Sequence, residues 1–182
     1  MNFTIGYVNS CFKEDDKMTD LTVENKAREI LEKSGLNQSV PLDPIEIARR
    51  YGIEVKNAIF KSENICGILY IKDKTITIYV NKNEPNNRKR FIIAHELGHY
   101  FLHHLNDSDS LVVEYRTNSN NGDPKKEKEA SCFAAALLMD EILVKSLWND
   151  LKSVQAVAEI FQVSYEAMSY RLSNLALLSS IA

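Results

Sequence analysis

Cysteines are scarce in this chain and are poorly placed for a structural framework. Only three occur among 182 residues, and no two of Cys11, Cys66 and Cys132 form a C-x-x-C pair. Small disulfide scaffolds need an even set of cysteines, and cysteine zinc sites need closely spaced pairs. The cysteine pattern therefore argues against both classes.

Long apolar segments and a strong excess of one charge are also missing. The longest uncharged stretches, near residues 130–139 and 172–182, are shorter than the ~20 apolar residues that span a bilayer. Residues 1–13 lack the basic start and the apolar stretch of a signal peptide. A net charge of −3 gives no general attraction to nucleic acid or to anionic lipid. We therefore expect a cytoplasmic protein without a membrane or nucleic-acid partner.

The most informative pattern that is present is His95-Glu96-Leu97-Gly98-His99, an H-E-x-x-H sequence within an apolar, helix-like run. Two histidines four residues apart lie on nearly the same face of a helix, so both imidazoles can bind one zinc ion. The glutamate next to the first histidine is placed to take a proton from a metal-bound water. This pattern predicts His95 and His99 as metal ligands and Glu96 as the catalytic base.

The remaining segments predict an α+β fold that is mainly helical. Alternating apolar residues indicate three strands, which we expect to form a small antiparallel sheet with a hairpin turn at residues 72–74. If the strand before the zinc helix is an edge strand, it could pair with an extended substrate. Part of the polar segment 106–124 is predicted to be a mobile surface loop. The predicted strands cover 53–58, 66–71 and 75–80, and the predicted helices cover 21–33, 43–52, 87–103, 125–139 and much of 141–178.

A catalytic zinc site needs a third protein ligand, and two classes of candidate can be set aside. A metzincin would require glycine and histidine where Leu102 and Leu105 stand. His103 lies one further turn along the same helix, and three histidines spread over ~12 Å of helix cannot all reach one ion. His103 and His104 are therefore interpreted as polar residues at a helix end.

Two glutamates on the following helix remain as candidates. Glu129 shares a helix face with Phe133 and Leu137, which must point inward because they are apolar. Glu127 falls about 200° away from it, among lysines, where a solvated charge is expected. This argument favours Glu129 over Glu127, and the main alternative is that Glu129 only forms an ion pair with a lysine.

Over roughly residues 40–140, the chain resembles the ImmA/IrrE metallopeptidases of bacteria and their mobile elements. The order and spacing of several motifs carry the resemblance. It departs from the family pattern at Ser131, where asparagine or aspartate is usual, and at Asp140, where proline is usual. The matching residues are 44–48, Gly52-Ile53, 94–100 with His103, Glu129-Ala130 and 133–139.

The resemblance implies a zincin-like domain, which we expect to cover 20–150. The polar, unpatterned segment 1–19 is expected to be loosely ordered, and the segment 151–182 is expected to be helical. The resemblance also implies one zinc ion per chain, with Glu129 as the third ligand, and a gluzincin-like endopeptidase. The implied substrate is a helix-turn-helix transcriptional repressor encoded nearby. A zinc-bearing interaction module that acts as an antirepressor without catalysis is the alternative. Four residues are candidates for stabilising the oxyanion of the reaction, namely Tyr100, His103, Tyr115 and Arg116.

The C-terminal segment has the apolar spacing of a helix-turn-helix, with Gln162 where a turn glycine is usual. Its would-be recognition helix carries Glu166 and Arg171 and is close to neutral, which is poor for phosphate contacts. We therefore expect this segment to pack on the domain or to dock a protein, and not to bind DNA.

Overall fold

The computed structural model describes residues 17–105, 110–115 and 123–178. Most of the segment 1–19, expected to be loosely ordered, lies outside these ranges. The elements are α1 (Lys17–Ser34), α2 (Pro44–Arg50), β1 (Glu54–Ala58), β2 (Ile65–Lys72), β3 (Thr75–Asn81), α3 (Asn86–Phe101), β4 (Ser110–Tyr115), α4 (Pro124–Leu138), α5 (Glu141–Leu151), α6 (Val154–Phe161) and α7 (Tyr165–Asn174).

The helices and the small sheet confirm the expected α+β class, but the sheet is mixed and has four strands in the order β1-β3-β2-β4. The β2–β3 hairpin is confirmed, with Lys72 opposite Thr75. Asp73 and Lys74 form its tight turn, with φ of 49° and 65°, which matches the twist of antiparallel strands. β1 pairs parallel to β3, so the expectation of a purely antiparallel sheet is wrong. β1 does not pair with β2, the strand that follows it in sequence.

The fourth strand lies inside the segment that we expected to be a loop. β4 pairs antiparallel with β2, with Val112 opposite Leu69. Its apolar residues 111–113 are consecutive and do not alternate with polar ones, and long polar stretches flank them, so the sequence pattern did not predict a strand. Because β3 lies between β1 and β2, the strand before the zinc helix is not an edge, and a substrate cannot pair with it as suggested above.

Helices α3 and α4 approach each other unusually closely at a glycine. A Cβ atom on Gly98 would lie 2.9 Å from the carbonyl oxygen of Ala130 and 3.0 Å from its Cα. Real Cβ atoms essentially never come that close to backbone, so only glycine allows this helix contact. The contact sets the first turns of α4 beside the H-E-x-x-H segment.

The C-terminal helices pack on the same core through Val157, Phe161, Met168 and Leu172, all buried. Arg171 is only 1% exposed; its Nε donates to the carbonyl of Met139 at 3.0 Å, and its Nη1 bonds Glu24 of α1. Arg171 is thus a packing residue whose guanidinium is used inside the fold.

Two general expectations can be compared with the described part of the chain. No helix in it is long and apolar enough to cross a membrane. Cys66 is buried and forms no disulfide, whereas Cys132 is disulfide-bonded, which the cysteine spacing did not suggest.

Candidate metal centre

The H-E-x-x-H residues lie in the buried middle of α3. This helix packs against α2, strands β2 and β3, and α4, so several of its faces are covered. His95, Glu96 and His99 are 1%, 0% and 2% exposed. Burying polar side chains is costly unless they are bonded or coordinate an ion. Three such residues in one helical turn therefore indicate a site and not an ordinary helix surface.

One ring nitrogen of His95 and one of His99 point toward a common position between the two side chains. Nε2 of His99 lies 3.0 Å from Nε2 of His95. Glu127 of α4 completes the group, with Oε2 3.3 Å from Nε2 of His95 and Oε1 3.5 Å from Nε2 of His99. The ligand atoms of these three residues all lie within 4.8 Å of one another. Two imidazoles and one carboxylate are a donor set that suits zinc and leaves a coordination position open.

The protonation states of this group also suit a metal ion. Burial is the main cause that lowers the pKa of His99 to about 4, so its ring is neutral at pH 7. Burial alone would raise the pKa of Glu127, but its interactions with the His95 and His99 side chains outweigh burial and hold the pKa well below its usual value. A neutral imidazole and an ionised carboxylate are the forms that bind metals.

The structure does not bring Glu129, the ligand favoured by the helix-face argument, to the two histidines. Its Oε2 accepts from Nε2 of His104 at 3.0 Å, and its Oε1 lies 3.9 Å from Nζ of Lys125. The argument assumed one apolar face, but every residue from Ala130 to Leu138 is buried. Hydrophobicity therefore cannot show which side of α4 faces α3. The Gly98–Ala130 contact sets that side, and it selects Glu127, three residues before Ala130.

Ser131 supports the site from the same side of α4, four residues after Glu127. Its hydroxyl is fully buried and lies 3.2 Å from Nδ1 of His95. A hydroxyl that accepts from Nδ1–H leaves the Nε2 lone pair free for a metal. Ser131 thus makes the kind of orienting bond for which the resembled family usually has asparagine or aspartate.

His104 is a residue that the sequence analysis assigned to an ordinary helix end. Its side chain is 5% exposed, and its Nδ1 lies 3.1 Å from Nδ1 of His99. Burial is the main cause that lowers the pKa of His104, against the opposing hydrogen bond to Glu129. His104 therefore belongs to the surroundings of the metal centre.

Two of the other named candidates, Tyr100 and His103, are not among the three converging ligands. The half-buried ring of Tyr100 packs edge-on against Phe101, with centroids 5.2 Å apart, and His103 is exposed. Arg116 and the side chain of Tyr115 lie outside the described residues.

Known proteins resemble this chain over most of its length. The peptidase family model described as the IrrE N-terminal-like domain matches residues 48–173. Metallopeptidase ImmA of Bacillus subtilis (strain 168) is 26% identical over 159 residues, which are 86% of this chain and 88% of the relative. The fold also resembles a solved Mycobacterium tuberculosis transcriptional regulator, with a TM-score of 0.54 and 18% identity over 94% of this chain. The chain spans 50% of the length of that solved chain, and the likeness shows the fold alone.

Proposed function

Because this chain belongs to the ImmA/IrrE family of metallopeptidases, we propose that it is a zinc-dependent endopeptidase with zinc held by His95, His99 and Glu127. The observation that carries this assignment is the convergence of two Nε2 atoms and one carboxylate within 4.8 Å. The ionised state of Glu127 supports it, since its pKa is lowered, and so does the bond that Ser131 makes behind His95.

A zinc ion bound here would lower the pKa of its water toward ~7 and polarise the scissile carbonyl. The chain supplies the proton transfers. Glu96 is fully buried next to His95, where a carboxylate can take the proton from the attacking water and later deliver it to the leaving amine. His95, His99 and Glu127 stand on two packed helices, so they are held in place before substrate arrives.

For the substrate, we propose a protein with a helix-turn-helix fold, namely a transcriptional repressor of a mobile element or stress regulon encoded near this chain. The support is the resemblance to the ImmA/IrrE family and the similarity to a protein named Metallopeptidase ImmA. We place this reaction in the cytoplasm, where such a repressor acts. A cut confined to one partner also fits that compartment, because an unrestricted peptidase there would damage its own cell.

The test is to incubate the zinc-loaded protein with the neighbouring repressor and, separately, with casein, and to follow fragments by mass spectrometry. We expect one cut in the repressor and little digestion of casein, with no cut by the Glu96→Gln variant. Broad casein digestion with an intact repressor would contradict the proposed substrate. Binding of the repressor without a cut, by both wild type and variant, would support the non-catalytic interaction module instead.

A further inference from the structure

A chain of hydrogen bonds runs from His99 through His104 to Glu129. We infer that His104 and Glu129 are positioning residues, which fix the ring orientation and the tautomer of His99 for the metal. The inference rests on the proposed metal site but not on the identity of the substrate. It gives Glu129 a role behind a ligand, in place of the direct ligation expected from sequence.

The direction of every bond in this chain follows from one requirement. Nε2 of His99 faces Nε2 of His95 at 3.0 Å, so it is the coordinating atom and must carry a lone pair. The proton of a neutral His99 is then on Nδ1. Nδ1 of His104, 3.1 Å away, must accept that proton's hydrogen bond. His104 consequently carries its own proton on Nε2 and donates it to Oε2 of Glu129 at 3.0 Å.

The backbone places His104 for this role at the end of α3. Leu102 ends the helix, and His103 follows in the left-handed region with φ of 55°. The amide of His104 then bonds back to the carbonyl of His99 at 3.0 Å, and the amide of His103 to that of Tyr100 at 3.2 Å. Such a turn brings the second residue after the helix cap over the residue five positions before it. In most proteins the two side chains of this pair are apolar. In this chain they are the imidazoles of His99 and His104.

Neighbouring charges hold the far end of the chain in place. Nζ of Lys126 donates to the carbonyl of His104 at 3.0 Å, which fixes the backbone of the turn. Nζ of Lys125 lies 3.9 Å from Oε1 of Glu129, leaving Oε2 for His104. A carboxylate behind a metal-bound imidazole raises the basicity of the ligand, and the loss of such partners costs about 10- to 100-fold in metal affinity. In this chain the carboxylate acts through a second imidazole.

The first test measures the zinc dissociation constant of purified variants by competition with a chromophoric chelator. We expect His104→Ala to weaken zinc binding about 10- to 100-fold. His104→Asn keeps a side-chain acceptor near the position of Nδ1, so it should recover part of that loss. His103→Asn is the matched control, because His103 is exposed and asparagine tolerates a positive φ; its zinc affinity should equal that of wild type.

Thermal melting of the metal-free proteins separates a local effect from a damaged fold. If His104→Ala has wild-type zinc affinity, or if His104→Asn is no better than His104→Ala at equal melting temperature, the inference is wrong. If wild type itself fails to bind zinc, the proposed metal site fails and not only this addition to it. The two failures are therefore distinguishable.

The second test examines the chain as a unit. Because Glu129 acts only through His104, the double variant His104→Ala/Glu129→Ala should lose no more zinc affinity than the more damaging single change. Long-range ¹H–¹⁵N NMR of the zinc-loaded protein should show a proton on Nδ1 of His99, and on Nε2 but not Nδ1 of His104. Losses that multiply in the double variant, or a proton on Nδ1 of His104, would overturn the inference.

Discussion

Two helices build the proposed metal centre, and they do so in different ways. α3 contributes His95, Glu96 and His99 from its buried middle, each at most 2% exposed. α4 contributes Glu127 from its first turn, where the side chain is still 21% exposed. The site residues of α3 follow from their spacing within one helix, whereas the ligand from α4 depends on how the second helix lies against the first. A local pattern can predict the first kind of residue and not the second.

The strongest test of this comparison replaces each of the two glutamates of α4 by alanine in turn. Glu127→Ala removes a proposed ligand and should weaken zinc binding by well over ~100-fold, beyond the range typical of residues that only support a ligand. Glu129→Ala should cost about 10- to 100-fold, since it acts through His104. Zinc content after dialysis and chelator competition measure both. A greater loss for Glu129→Ala would restore it as the ligand and reject Glu127.

The next change addresses the chemistry supplied by α3. Glu96→Gln keeps the size of the side chain but removes the base, so hydrolysis of the repressor should fall by about 10²- to 10⁴-fold. Zinc affinity should stay near that of wild type, because Glu96 is not among the converging ligands. Metal analysis and cleavage rates on the same samples check both parts. Loss of zinc together with activity would make Glu96 a ligand.

Gly98→Ala breaks the contact that joins the two helices. Its new methyl group would meet the backbone of Ala130 at 2.9 Å, and backbone cannot move aside as a flexible side chain can. Overpacking of this kind typically costs about 1–3 kcal/mol of folding stability. We expect a lower melting temperature and weaker zinc binding, because Glu127 moves away from the histidines. An unchanged melting temperature would show that the helices do not approach as closely as described.

The smallest expected effect concerns the orienting hydroxyl of α4. Ser131→Ala removes the acceptor 3.2 Å from Nδ1 of His95 and should weaken zinc binding by about 10-fold, the lower limit for such partners. His104→Ala is the natural comparison, because it removes the corresponding partner of His99. If Ser131→Ala loses more zinc affinity than Glu127→Ala, the assignment of Glu127 as a ligand and of Ser131 as an orienting residue must be revised.

The sequence therefore predicted what depends on neighbours along the chain. The H-E-x-x-H helix, the β2–β3 hairpin and the α+β class are all set by local spacing and turn chemistry. Glu127 could not be selected over Glu129, because α4 is buried on all sides from residue 130 onward. The parallel pairing of β1 with β3 and the role of His104 both depend on contacts that no periodic pattern encodes. The turn before His104 has His103 in the left-handed region. Histidine adopts that conformation more often than most residues do, but it adopts others as well, so its presence alone did not predict the turn.

Arg171 has a consequence for how this protein is made. His95, His99, Glu127 and Ser131 all precede the last helix, whose Arg171 bonds the end of α4 at Met139 and the first helix at Glu24. During synthesis the chain therefore holds every proposed zinc ligand before it holds the residue that joins its first and last helices, and large parts of a chain fold as they emerge. A product that stopped before α7 would leave the Met139 carbonyl and the Glu24 carboxylate without this partner. The bond from Arg171 to the end of α4 therefore forms only after α7 has been synthesised, later than every proposed zinc ligand.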